Sequence, residues 1–268
     1  VLRVLDLFSG IGGFSLGLER TGGFRTVAFC EIDPYCRAVL RKHWPAVPCF
    51  EDVRDLHAFD VGPVDVICGG FPCQDISYVG RGAGLAGERS GLWSEYRRLI
   101  DELRPAWVVA ENVSALRSRG LDQVLGELAA LGYDAEWHCI PAAAVGAPHR
   151  RDRVWIVAYP AGERRHGQHS LLRPSEAGRV AADLPEAPWG GPDVAHPDRE
   201  GLEVLLQGNA RQLAASLGTS PWAAEPDVGR VAYGVPARVD RLRCLGNAVV
   251  PQIPEIIGRA ILAAEAAA

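Results

Sequence analysis

The sequence predicts an α/β fold, a mostly parallel sheet with helices on both faces, and three observations carry that expectation. Short aliphatic runs alternate with helix-like stretches through the first 160 residues. A glycine-rich turn follows the first run, and an acid follows the second, about twenty residues further on. After a long stretch without period, a helical pattern returns near the end of the chain.

Residues 2–7, 26–30, 64–68, 106–110 and 154–158 are rich in aliphatic and β-branched side chains and read as strands. Between them, residues 35–43, 92–103 and 121–131 carry apolar positions at helical spacing. Asp33-Pro34 opens the first of these helices with a capping side chain and a first-turn proline, and Leu131-Gly132 closes the last. Beyond residue 160 the pattern breaks into Gly, Pro, His, Asp and Arg, with turns at Gly190-Gly191-Pro192 and Ser220-Pro221. Residues 161–237 therefore read as a small irregular lobe. Ile253, Ile256, Ile257 and Ile261 then mark an amphipathic helix that packs back on the first domain. The expected division is residues 1–160 with 238–268 as one domain and 161–237 as the lobe.

At 268 residues the chain can bury one substantial core beside one small lobe. Seven cysteines without metal-like pairing, no signal peptide and no membrane-length apolar run point to a reducing cytoplasm. Neither disulfides nor structural zinc is expected. A net charge of −5 argues mildly against a nucleic-acid partner. The distribution is less even than that sum: residues 146–180 hold seven arginines and three acids, and residues 181–226 hold two arginines and seven acids. The first segment suits a polyanion, the second water.

Four stretches are candidates for chemistry. Asp6-Leu7-Phe8-Ser9-Gly10-Ile11-Gly12-Gly13-Phe14 reads as strand, turn and helix start, where backbone N–H groups can meet a ligand. With Glu31 after the second strand, it implies an adenosine-containing cofactor whose ribose the acid would hold; a simple tight turn and a solvated acid are the plain alternatives. Gly69-Gly70-Phe71-Pro72-Cys73-Gln74 sets a thiol on a loop at the end of a buried strand. Alone, Cys73 is as readily a small buried hydrophobe as a nucleophile. Glu111, in Glu111-Asn112-Val113, would emerge on the same rim, either as a hydrogen-bonded strand-end acid or as a carboxyl able to donate to a ring nitrogen. Arg151 and Arg153 alternate in Pro148-His149-Arg150-Arg151-Asp152-Arg153, reaching that rim or forming a solvated basic turn.

Together with Gly246-Asn247-Ala248-Val249, these motifs in this order resemble the bacterial and phage DNA cytosine-5 methyltransferases. The resemblance implies a Rossmann-like S-adenosylmethionine-dependent methyltransferase fold, with S-adenosylhomocysteine as product. It implies attack of Cys73 on C6 of a cytosine flipped out of duplex DNA, Glu111 at N3, Arg153 at O2 with Arg151 beside it, and methylation at C5. For the cofactor it assigns Phe8, Ser9, Gly10, Ile11, Gly12 and Gly13 to the loop, Phe8 meeting adenine. Glu31 falls to the ribose and Asp52 to the adenine amine. Ile32, Val53, Pro72 and Leu92 fall to the pocket lining, with Asn247 and Ala248 near the methionine portion. Residues 76–90 correspond to the mobile loop that closes over the base. A cognate restriction endonuclease would be a functional partner only; a monomer with no membrane association is expected. Residues 234–242 depart from the family pattern, and the lobe is short and partly acidic, which bears on site specificity and DNA affinity. RNA cytosine methylation, a catalytically silent DNA-binding homologue and a nicotinamide oxidoreductase are the rival readings; the last leaves Cys73, Glu111 and Asn247 without a role.

Overall fold

The computed structural model describes residues 1–72, 91–162 and 238–267. Cys73, the loop of residues 76–90 and the lobe beyond residue 162 lie outside the described residues. The strands are β1 (Leu2–Leu7), β2 (Phe24–Cys30), β3 (Cys49–Phe50), β4 (Val66–Gly70), β5 (Trp107–Val113), β6 (Tyr133–Pro141) and β7 (Asp152–Pro160). The α-helices are α1 (Gly13–Glu19), α2 (Pro34–His43), α3 (Ala58–Val61), α4 (Gly91–Leu103), α5 (Leu121–Ala130), α6 (Arg238–Asn247) and α7 (Gln252–Ala267).

The strands form one seven-stranded sheet in the order β3-β2-β1-β4-β5-β7-β6. The pairs among β1 to β5 are parallel, whereas β7 is antiparallel to both β5 and β6. The mostly parallel α/β sheet expected from the sequence is thus present, with one reversed strand. Side chains alternate between its faces as the pleat requires. Leu5, Leu7, Ile67 and Val108 pack with Tyr96 and Leu99 of α4 and Leu128 of α5. On the opposite face, Val4, Val66 and Val109 pack with Phe14 and Leu18 of α1 and with Ile253 and Ile257 of α7. Both faces are covered, and central strands such as β4 are apolar throughout for that reason.

Local signals act where expected. The Asp33 side chain accepts from the backbone N–H groups of Tyr35 and Cys36, and Pro34 occupies the first turn of α2. Gly132 follows α5 at φ 84°. Three elements depart from the expectation. β5 runs on through Val113, so Glu111 sits within the strand rather than after it. β6 is an edge strand whose side chains are mostly half-buried or exposed, which erases the apolar alternation that would mark it. Residues 238–247 form a helix, and the closing Gly246-Asn247 pair ends it. Among the described residues no helix is long and apolar enough to cross a membrane.

α1 and α7 pack closely through Gly17. A Cβ there would overlap the Pro251 carbonyl oxygen and lie 2.9 Å from Cβ of Pro254. Gly126, on the exposed side of α5, has open space around the same position. Gly17→Ala is therefore expected to lower stability by roughly 1–3 kcal/mol through overpacking, and Gly126→Ala to raise it by about 0.5–1 kcal/mol through helix entropy. Urea unfolding of the two variants beside the parent checks both signs.

Candidate active site

A cavity of about 710 Å3 opens at the carboxyl ends of the parallel strands, within the range of about 300–1,000 Å3 usual for small-molecule sites. Its wall takes Phe8, Ser9 and Gly10 from the turn after β1, Glu31 and Ile32 after β2, and Asp52 and Val53 after β3. Pro72 follows β4, Glu111 comes from β5, Arg151 just precedes β7, and Arg153 lies at its start. Leu92 of α4 and Asn247 and Ala248 at the end of α6 complete the expected residues found on this wall. The cavity thus gathers residues spread over 240 positions of sequence on one sheet edge, the edge where open α/β sheets bind ligands.

The turn after β1 is built from the inside. The Ser9 hydroxyl donates to the Asp6 carbonyl at 2.5 Å, and the Gly12 N–H donates to the Ser9 carbonyl at 2.9 Å. Asp6 is fully buried and accepts from the hydroxyl of Ser15 at 2.7 Å and from its N–H at 3.3 Å, fastening the end of β1 to α1. Burial pushes the Asp6 carboxyl up to about 7 against those two hydrogen bonds. Phe8 adopts φ 51°, rare for a bulky residue, and its ring stacks beside Tyr96 with centroids 6.3 Å apart. Ile11, Gly12 and Gly13, expected in the cofactor loop, are not on the cavity wall. The two glycines allow close packing instead. A Cβ on Gly12 would lie 2.7 Å from the Trp44 ring, and one on Gly13 would lie 2.6 Å from the Val249 carbonyl oxygen.

Glu31 bridges two backbone donors, the N–H of Gly10 at 2.7 Å and that of Asp33 at 2.8 Å. Arg37 of α2 secures the same turn by donating to the carbonyls of Glu31 and Ile32. Ile32 is 67% exposed although it lines the cavity, so an apolar surface stands ready there for a flat ring, with Phe8 on the same wall. Asp52 is held by the Arg54 guanidinium at 2.5 Å, and hydrogen bonds from Arg54 hold its carboxyl below the usual range. Val53 is 4% exposed and packs in the core, so its side chain borders the cavity chiefly from behind.

At the other end, Arg153 Nε lies 2.9 Å from a carboxylate oxygen of Glu111. Their side chains are 22% and 12% exposed. Burial pushes Glu111 up to about 7; Arg153 and Arg151 act in the opposite direction and do not cancel it. Arg151 precedes the strand, at φ 40°, and donates to the Gly246 carbonyl at 2.6 Å. It therefore does not share Arg153's partner, because β7 begins only at Asp152; it ties the cavity rim to the end of α6. Asn112, between Glu111 and Val113, is buried and donates to the Phe71 carbonyl at 2.9 Å, bracing the segment that leads to Cys73. Its place in the Glu-Asn-Val motif was the signal available for that role. Cys36, Arg54, Arg243 and Cys244 also line the cavity, and no motif in the sequence marked them.

A family model described as C-5 cytosine-specific DNA methylase matches residues 2–201 of this chain. Type II methyltransferase M2.BsuMI of Bacillus subtilis is 37% identical over 165 residues, covering 59% of this chain and 42% of that protein. Type II methyltransferase M.DsaV of Dactylococcopsis salina is 31% identical over 189 residues, covering 69% and 53%. The chain therefore spans about half the length of these curated relatives. Among solved structures, a putative DNA modification methyltransferase encoded within an E. coli prophage superposes with a TM-score of 0.61 at 20% identity, covering 99% of this chain and 100% of that one. Spodoptera frugiperda DNMT2 gives 0.53 at 20% identity, covering 61% and 51%. These two likenesses show the fold.

The Glu111 environment has a consequence for stability. In the folded chain its carboxyl keeps a proton up to about 7, whereas an unperturbed glutamate releases it near 4.5. The folded state then binds more protons between those values, so the stability this group contributes is complete below about 4.5 and is lost as pH rises to about 7. Glu111→Gln is expected to remove that part of the slope and to exceed the parent at pH 8 by on the order of 2–3 kcal/mol. Asp6 titrates in the same window and is common to both proteins. Denaturant unfolding of parent and variant at pH 4.5 and 8 gives the difference.

Proposed function

Because the chain belongs to the C-5 cytosine-specific DNA methylase family, we propose that it transfers a methyl group from S-adenosylmethionine to C5 of a cytosine in duplex DNA. The observation that carries this reading is the half-buried Glu111–Arg153 pair at one end of a cavity whose other end offers Phe8, Glu31, Ile32 and Asp52. The cavity residues fit the cofactor's chemistry. Phe8 and Ile32 offer apolar surface to adenine, Glu31 and Asp52 accept hydrogen bonds from hydroxyl and amine groups, and Asn247 and Ala248 border the remainder. When bound, S-adenosylmethionine supplies an electrophilic methyl group on a sulfonium.

Cytosine C5 is too weak a nucleophile to take that methyl unaided. In the proposed reaction the Cys73 thiolate adds to C6 of a flipped-out base. Glu111, with its proton retained to about 7, hydrogen-bonds or protonates N3 as electron density moves there. Arg153 contacts O2 and holds the Glu111 carboxyl in place. C5 is then enamine-like and takes the methyl; loss of the C5 proton expels Cys73 and restores the ring. Asn112 positions the Phe71–Pro72 segment that precedes the nucleophile. Base flipping is required, since stacking hides the face of C6 that sulfur must approach. Relatives named Type II methyltransferases support a role beside a restriction endonuclease with the same target site.

Transfer of labelled methyl to duplex DNA, followed by bisulfite sequencing, tests the reaction and its site together; labelling of tRNA and not of DNA would overturn the choice of substrate. Cys73→Ala is expected to lose methyl transfer while still binding S-adenosylhomocysteine in calorimetry, and appreciable turnover by that variant would sink the covalent mechanism. Glu111→Gln is expected to lower kcat by roughly 10²–10⁴. It should also abolish the decline in kcat/KM that the parent shows as pH rises past about 7, where the proton on Glu111 is lost.

A further inference from the structure

Cys36 and Cys244 stand 208 positions apart in the sequence, yet their sulfurs lie 2.9 Å apart. Both are free thiols, each 4% exposed, and both line the large cavity. Cys36 belongs to the first turn of α2, and Cys244 to α6, the helix that ends in Gly246-Asn247. Two polar links border the pair: Arg243 to Asp33 at 2.5 Å and Arg151 to the Gly246 carbonyl at 2.6 Å. We propose that Cys36 and Cys244 form an oxidisable site, in which a peroxide entering the cavity joins them as a disulfide that staples α6 to α2.

The geometry favours a bond over a bound cation. A disulfide needs an S–S distance near 2.05 Å, so the sulfurs must approach by only about 0.9 Å. Asp33, the third potential ligand in the cluster, is already engaged: one oxygen accepts from the N–H groups of Tyr35 and Cys36, and the other meets Arg243. A guanidinium beside the sulfurs repels a metal ion. Burial pushes both thiols up; the hydrogen bond between them raises Cys36 further and pulls Cys244 back down, with Arg243 helping against Asp33, which makes Cys244 the first nucleophile.

The step balances simply. The Cys244 sulfur attacks one peroxide oxygen, the O–O bond breaks, a sulfenic acid forms and water leaves with the thiol proton. Cys36 then attacks the sulfenic sulfur, its proton departs with the displaced hydroxide as a second water, and the S–S bond closes. Two thiols are oxidised and one peroxide is reduced. The staple closes a loop of 208 positions, so it restricts the unfolded chain strongly. It also fixes the wall that carries Asn247 and Ala248.

The test uses the full chain with Cys73→Ala and Cys139→Ser, which removes the proposed nucleophile and the exposed thiol. After hydrogen peroxide treatment and alkylation, peptide mapping without reductant should reveal a linked Cys36–Cys244 species lighter by two hydrogens and released by dithiothreitol. The melting temperature should rise by several degrees on oxidation. In the Cys36→Ser version both changes should be absent. Oxidation of either cysteine to a sulfinic acid without linkage, an equal thermal shift in Cys36→Ser, or a zinc ion held by the pair in the purified protein would overturn the proposal. None of these readouts requires methyl transfer, so their failure is separate from any failure of the proposed reaction.

Discussion

The reversal of β7 is the constraint on which the candidate site depends. In a wholly parallel sheet, residues just before a strand emerge at the edge opposite to the carboxyl ends. Arg153 would then lie a full strand away from Glu111, roughly 30 Å for nine residues. Instead β7 runs against β5, with Val113 opposite Arg153 and Glu111 opposite Trp155. The amino end of β7 is thereby delivered to the rim where β1, β2 and β4 end. β6 pairs along the full length of β7 and secures that orientation from the outer side. A guanidinium reaches a carboxylate because one strand points the wrong way.

At the far end of the cavity, the acids differ in how freely they can meet a ligand. Glu31 accepts one backbone hydrogen bond at each oxygen, and each oxygen keeps a second lone pair. It can shape the turn and still accept from a hydroxyl. Asp52 is instead engaged by the Arg54 side chain through both oxygens. That guanidinium is 63% exposed, so water screens the pair and an incoming donor can share or displace it at small cost. Behind the wall, Asp6 joins β1 to α1, and Val249 closes over Gly13. The end of the chain thus seals the turn made at its beginning.

Much of this was legible in the sequence, and the failures have physical causes. Central strands buried on both faces announce themselves as aliphatic runs, and Asp33-Pro34 and Gly132 act through the backbone within a few residues of themselves. β6 has no comparable mark, since an edge strand need not alternate. The motifs identified about half of the cavity wall because four of them sit at strand ends and the fifth ends α6, where sequence position and spatial position coincide. Gly12 and Gly13 carried the right residue type but a different reason, close packing against Trp44 and Val249. Arg151 would point with Arg153 only if the strand had already begun there. One residue of delay in the start of β7 gives it Gly246 instead. Contacts such as Cys36 with Cys244 depend on the return of the chain after a long excursion, and no local pattern encodes them.

Glu111 is poised by two opposed influences. Removal from water favours the neutral acid, and the neighbouring guanidinium favours the carboxylate. Burial alone would leave an acid that seldom releases its proton, and exposure alone would leave a carboxylate with no proton to offer near neutral pH. With Arg153 at 2.9 Å in a half-closed site, the group stands near 7 and can serve in either state. A ring nitrogen that gains electron density as sulfur adds to the base needs a donor of that kind. The same Arg153, drawn toward a base carbonyl, would attract the carboxylate less strongly and so strengthen the hold of Glu111 on its proton. In the proposed reaction the cation would then act twice, once on the substrate oxygen and once through the acid beside it, and the reversed strand places it for both.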